Sequence, residues 1–132
     1  MASVLFYPCD LKITRGRPSR TTNIVEPAPR KIKNYRAASL ESPFREWMTR
    51  KIDAMARAAV NVRLRRIEET GNYGDCEPVG DGVFELRIDK GPGYRVYFGI
   101  DGDSVILLGG GDKRTQVSDI WKAKERWSDY NA

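Results

Sequence analysis

The stretch from Val83 to Leu108 leaves this chain few ways to fold. Val83-Phe84-Glu85-Leu86-Arg87-Ile88-Asp89 alternates apolar and charged residues, and Tyr94-Arg95-Val96-Tyr97-Phe98-Gly99-Ile100 alternates again after Gly91-Pro92-Gly93. Proline presets the φ of a turn and glycine takes positive φ, so the two runs form an antiparallel hairpin. Asp101-Gly102-Asp103 supplies a second tight turn. Val105-Ile106-Leu107-Leu108 then reads as a central strand covered on both faces, because it has no polar alternation.

Helices flank this meander. Residues from Arg30 to Ala37 fit a short first strand, and Ser42-Pro43 offers an N-cap followed by a first-turn proline. Phe44, Trp47, Met48 and Ile52 recur at helical spacing. Asp53 caps a second helix whose Met55, Ala58, Ala59, Val62 and Ile67 are expected in the core, and Gly71-Asn72 ends it. Its Arg57, Arg63, Arg65 and Arg66 read as a solvated face. Residues 70–82 have loop composition. Gly109-Gly110-Gly111-Asp112-Lys113-Arg114 leaves the last strand, and Thr115 or Ser118 caps a final helix with Val117, Ile120, Trp121 and the Lys124 stem on its buried face. The predicted class is α+β: a small antiparallel meander sheet with two N-terminal helices and a C-terminal helix, packed on one side of the sheet.

Residues 1–30 hold four prolines, five basic and two acidic side chains and no sustained periodicity, which reads as a flexible basic N-terminal extension to a domain at 31–132. The formal charge of +5 divides into +3 for that extension and +2 for the domain, so net charge alone is a weak pointer to nucleic acid. No apolar run reaches the ~20 residues needed to span a bilayer, and Pro8 interrupts Val4-Leu5-Phe6-Tyr7, so a soluble cytoplasmic chain is expected. Cys9 and Cys76 stand far apart, outside any metal-binding spacing, and are expected to be reduced thiols.

The chain has no histidine, so any chemistry runs on Lys, Arg, Tyr and carboxylates. Gly109 to Lys113 lacks the full phosphate-loop pattern. Asp101 and Asp103 flank a turn where Asp is ordinary turn chemistry, so with Asp89 and Asp112 they make a weak metal set. Strand alternation instead brings Arg87, Arg95, Tyr97 and the Lys113-Arg114 pair toward one face. Guanidinium groups bind a phosphodiester bidentately and stabilise the charge that grows in its transition state. Exposed strand residues paired with Glu85, Asp89 and Asp112 explain the same spacing. On either reading Arg95 projects from the polar face, and its removal is expected to leave folding nearly unchanged.

The motifs Gly71-Asn72-x-Gly74-Asp75, Pro78-Val79-Gly80, Gly82-Val83-x-Glu85-Leu86-Arg87-Ile88, Gly91-Pro92-Gly93-Tyr94-Arg95-Val96-Tyr97-Phe98 and Gly110-Gly111-Asp112-Lys113-x-Thr115-Gln116 follow one another in order. In this the chain resembles the addiction-module killer proteins of the HigB-like branch of the RelE/ParE superfamily, over about residues 31–130. The resemblance implies a RelE-like, microbial-ribonuclease-like fold and a type II toxin acting as a ribosome-dependent endoribonuclease on mRNA. It also implies a cognate antitoxin, a helix-turn-helix protein encoded nearby. Arg87, Arg95 and Lys113 would be catalytic, with Tyr97 and Arg114 touching RNA and no metal or organic cofactor. Glu85 stands where RelE has a lysine, and is either a general base for the 2′-hydroxyl or a strand salt bridge with Arg87 or Lys90. Two other readings are a ParE-like toxin that inhibits gyrase by binding, and a degenerate toxin that only binds an antitoxin.

Overall fold

The computed structural model describes residues 28–132, so the sequence reading of the first 27 residues lies outside the described part. Strands β3 (Val83–Ile88) and β4 (Tyr94–Asp101) form the expected hairpin, with Phe84 opposite Phe98 and Leu86 opposite Val96. β4 pairs antiparallel with β5 (Ser104–Asp112). β1 (Lys31–Asn34) runs parallel to β5 at one edge and β2 (Cys76–Gly80) antiparallel to β3 at the other, giving the order β1-β5-β4-β3-β2. β2 lies inside the stretch whose composition suggested a loop. Its Pro78 and its register shift before Gly80 are tolerated because it is an edge strand.

Alternation along β4 sends its side chains to two separate cores. Val96 and Phe98 pack with Phe84, Leu86 and Leu107 against α1 (Pro43–Arg50) and α2 (Ala54–Thr70). Tyr97 points the other way and joins Val83, Ile106 and Leu108 beneath α3 (Gln116–Tyr130), whose Ala123 is fully buried. The helices therefore cover both faces of the sheet, not one. The unbroken apolar run in β5 signalled that double cover, whereas Glu85, Arg87 and Arg95 on the α3 side resembled a solvent face.

The caps form as the sequence requires: Ser42 accepts from the Arg45 amide at 3.2 Å and Asp53 from the Ala56 amide at 2.9 Å. α1 buries Phe44, Trp47 and Met48. α2 buries Ala56, Val60, Leu64 and Ile67, so its inward stripe is rotated from the expected one, and Met55, Ala58 and Val62 are exposed. Two of its arginines are structural. Arg57 donates to the carbonyls of Met48 and Ile52, and Arg63 to those of Tyr73 and Arg87, supplying donors where backbone acceptors would otherwise lack them. Cys76 is buried against the core and disulfide-bonded, a correction to the reduced-thiol reading; Cys9 lies outside the described residues. Among the described residues no helix is long and apolar enough to cross a membrane.

Gly109, Gly110 and Gly111 belong to β5 and do not form a loop after it. A Cβ on Gly110 would stand 2.3 Å from the Trp47 ring of α1, and one on Gly111 1.8 Å from an Asp119 carboxylate oxygen of α3. These residues lack side chains because both helical layers close on them. α3 turns Ile120, Ala123 and Trp127 inward, and leaves Val117 (85%) and Trp121 (61%) exposed, the reverse of the expected face for those two.

Gly110→Ala should therefore destabilise the fold by about 1–3 kcal/mol through overpacking against Trp47. Gly102→Ala, where a Cβ meets open space but φ is +62, should cost only about 1 kcal/mol. Urea denaturation of the two variants and the parent checks the ranking, and a Gly110→Ala midpoint equal to the parent's would mean that Trp47 yields without cost.

Candidate functional site

On the α3 side of the sheet, Arg87 stands directly opposite Arg95 and Glu85 opposite Tyr97. Like charges in direct cross-strand register repel. They are held here by the Glu85 carboxylate, which is 1% exposed. Its Oε1 accepts from Arg87 Nε at 3.4 Å and Arg95 Nη1 at 3.2 Å; its Oε2 accepts from the Tyr97 hydroxyl at 3.0 Å and Gln116 Nε2 at 2.8 Å. Arg87 also reaches Glu77 on β2 at 2.8 Å. Arg95 is only 11% exposed, and its Nε is buried without a hydrogen-bond partner.

The remaining sequence-derived residues lie at the end of β5. Asp112 caps a 3₁₀ turn formed by Lys113, Arg114 and Thr115, accepting from the Arg114 amide at 2.8 Å and pairing with its guanidinium at 3.1 Å. That pairing holds the Asp112 carboxyl below the usual carboxylate range. Lys113 and Arg114 are exposed, and the Lys113 stem passes close to Gly93 in the β3–β4 turn. An open cleft of about 640 Å³ begins here and runs between α1 and α3 over Gly109–Gly111, with Trp47, Tyr94, Lys51 and Lys122 on its walls.

The structure thus brings Arg87, Arg95, Glu85 and Tyr97 into one network and sets Lys113 and Arg114 just beyond the strand end. Tyr97 is fully buried, with its hydroxyl on Glu85 and its ring in the α3-side core, so no ring face meets solvent. Asp101 and Asp103 are held elsewhere: Asp101 accepts from the Tyr130 hydroxyl, and Asp103 lies 3.9 Å from Lys31. Sequence reading missed Gln116 and Glu77. Gln116 lies in a recognised motif, but only the packing of α3 shows that it reaches Glu85. Glu77 stays invisible while β2 passes for a loop.

The fold and this network define a small α+β protein with a basic cluster anchored by one buried carboxylate. Residues 46–128, more than half of the chain, match the family described as Phage derived protein Gp49-like (DUF891), and the chain belongs to that family. An uncharacterized protein of Haemophilus influenzae (strain ATCC 51907 / DSM 11121 / KW20 / Rd) is 50% identical over 82 residues, covering 61% of this chain and 82% of that relative.

Two stability predictions follow from the geometry. Arg95→Ala is expected to cost roughly 3 kcal/mol, because it leaves a buried carboxylate short of a cation, contrary to the exposed-strand expectation. Adding Glu85→Gln should recover part of that loss, and a double-mutant cycle from urea titrations measures the coupling. The second concerns Tyr97, whose phenol is pushed up from its ordinary value near 10 by burial and then by the adjacent Glu85 charge. In alkali the unfolded chain loses this proton first, so the stabilisation is complete below pH ~10 and is lost above it, at up to about 1.4 kcal/mol per pH unit. Melting curves between pH 8 and 11 should fall less steeply for Tyr97→Phe than for the parent.

Proposed function

We propose that this chain is the toxin of a type II toxin–antitoxin pair, related to the HigB-like branch of the RelE/ParE superfamily, and that it acts in the cytoplasm as a ribosome-dependent endoribonuclease on mRNA. One observation carries the reading: two arginines stand opposite each other in strand register, at the repulsive position, over a carboxylate buried to hold them. A fold selected for stability alone gains little from that arrangement, since apolar residues replace buried ion pairs at no loss. A phosphodiester is a ligand suited to paired guanidinium groups.

In the proposed reaction a 2′-oxygen attacks the adjacent phosphorus as its proton passes to a solvent water. The bond from phosphorus to the 5′-oxygen breaks, giving a cyclic phosphate and a 5′-hydroxyl. Arg95 and Arg87 neutralise the phosphoryl oxygens, and Lys113 protonates or polarises the leaving oxygen. Arg114 contacts RNA on the exposed side of the 3₁₀ turn. With no histidine in the chain, much of the acceleration comes from a ribosome holding mRNA in attack geometry. A helix-turn-helix antitoxin would neutralise the protein, and the exposed Met55, Ala58 and Val62 beside Arg65 and Arg66 on α2 offer it apolar anchors and positive charge.

Induction in cells should truncate mRNAs at ribosome-occupied sites, and co-expression of the neighbouring gene should restore growth. Lys113 is exposed, so Lys113→Ala should leave the melt unchanged. It should slow cleavage at least tenfold, short of the ~10²–10³ that loss of a fully preorganised donor costs, because Arg114 lies beside it. Primer extension on programmed ribosomes measures this. Intact transcripts alongside halted DNA supercoiling would instead favour gyrase inhibition, and neither effect would leave a module that only binds an antitoxin.

A further inference from the structure

We propose that Glu85 is a positioning residue and not the general base: its carboxylate fixes the attitude of the Arg87 and Arg95 guanidiniums and, through Gln116, ties that attitude to the seating of α3. The substrate side of this inference rests on the nuclease reading above; the geometric side does not.

A base must offer a lone pair to the proton it takes. A carboxylate has about four such positions, two on each oxygen. Here Oε1 receives Arg87 Nε and Arg95 Nη1, while Oε2 receives the Tyr97 hydroxyl and Gln116 Nε2. All four are occupied, and the residue is 1% exposed. No 2′-hydroxyl reaches it without displacing a donor.

The same contacts give the carboxylate another task. Arg87 and Arg95 share the single oxygen Oε1, which turns a repulsive cross-strand pair into a bridged one. Each arginine is also restrained at a second point: Arg87 by Glu77 at 2.8 Å, and Arg95 by burial to 11% exposure. On the other oxygen, Tyr97 belongs to the α3-side core and Gln116 is the first residue of α3. The attitude of the two cations therefore depends on α3 lying where it does. Misplacing a reacting or charge-stabilising group by about 1 Å costs on the order of 10²-fold in rate.

Glu85→Gln separates the roles. It nearly preserves shape, keeps an acceptor for one side and removes the charge that holds the guanidiniums. Nitrogen-15 spectra of the arginine Nε–H groups should show slowly exchanging Arg87 and Arg95 resonances in the parent that broaden or vanish in the variant. On programmed ribosomes kcat should fall about 10- to 100-fold with KM unchanged or lower, since a negative charge beside the phosphate is gone. The acid limb of the pH–rate profile should keep the shape it has in the parent.

Gln116→Met is the companion variant should Glu85→Gln fail to fold. It leaves the carboxylate and three donors in place, and should broaden the Arg95 resonance and lower kcat several-fold. Sharp, unshifted arginine resonances in whichever variant folds would overturn the positioning role. An acid limb lost from the pH–rate profile of Glu85→Gln would restore Glu85 as the base. A parent protein that cleaves nothing defeats the nuclease reading, while the arginine spectra still decide the positioning role.

Discussion

Trp47 from α1 and Asp119 from α3 reach the sheet at neighbouring residues of β5, and neither has room if Gly110 or Gly111 carries a Cβ. Protein interiors are close-packed, so a helix approaches a strand only as far as the side chains between them allow. Three glycines in succession bring both helical layers onto the backbone at one end of the sheet. That closeness sets the start of α3 beside the β3–β4 hairpin, where Gln116 meets Glu85. It also aims the 3₁₀ turn with Lys113 and Arg114 past the end of β5. The glycines weaken the strand they occupy, because they offer no side chain to pack and lose more backbone freedom on folding.

The cluster that results is balanced within itself. Glu77 and Glu85 face Arg87 and Arg95, so the four formal charges cancel within the cluster. Excess charge is supplied nearby by Lys113, since Arg114 is paired with Asp112. A buried ion network is poor evidence of stability, because desolvating the charges offsets most of what they gain from one another. It is better evidence of a constraint on direction. Arg95 is held by one Nη, and its unpartnered Nε is buried with the rest of the network.

Most of the fold was legible in sequence, because its signals are local. The alternation in 83–100, the Gly91-Pro92-Gly93 turn, the caps Ser42 and Asp53 and the stop at Gly71 each act within a few residues, and each element appears where those residues put it. What was not legible depends on contacts between distant segments. The Cys76–Gly80 strand holds one strong strand former, Val79, among Glu, Pro and Gly, and pairs along the edge that β3 offers it. The residue types of the site were visible too, yet spacing places Glu85, Arg95 and Tyr97 on a face without saying what lies over that face. α3 lies over it, which makes Tyr97 a core residue and Glu85 a buried anchor.

The two helices whose faces were misjudged err in the same direction. Periodicity groups apolar residues and assigns them to the core, but α2 and α3 each carry apolar side chains on a second face as well. On α2 the exposed Met55 and Val62 lie two turns apart with the exposed Ala58 between them, and on α3 Val117 and Trp121 lie one turn apart. Inward, α2 uses Ala56, Val60, Leu64 and Ile67, and α3 uses Ala123 flanked by Ile120 and Trp127. Bulk on an inward face needs a matching gap in the sheet, as Trp127 finds over Gly99. Single exposed apolar residues are ordinary on a protein surface, but a stripe along a helix is the pattern by which one helix recognises another. Periodicity counts apolar residues on both faces alike, so it does not by itself separate the stripe that meets the sheet from the one left in water.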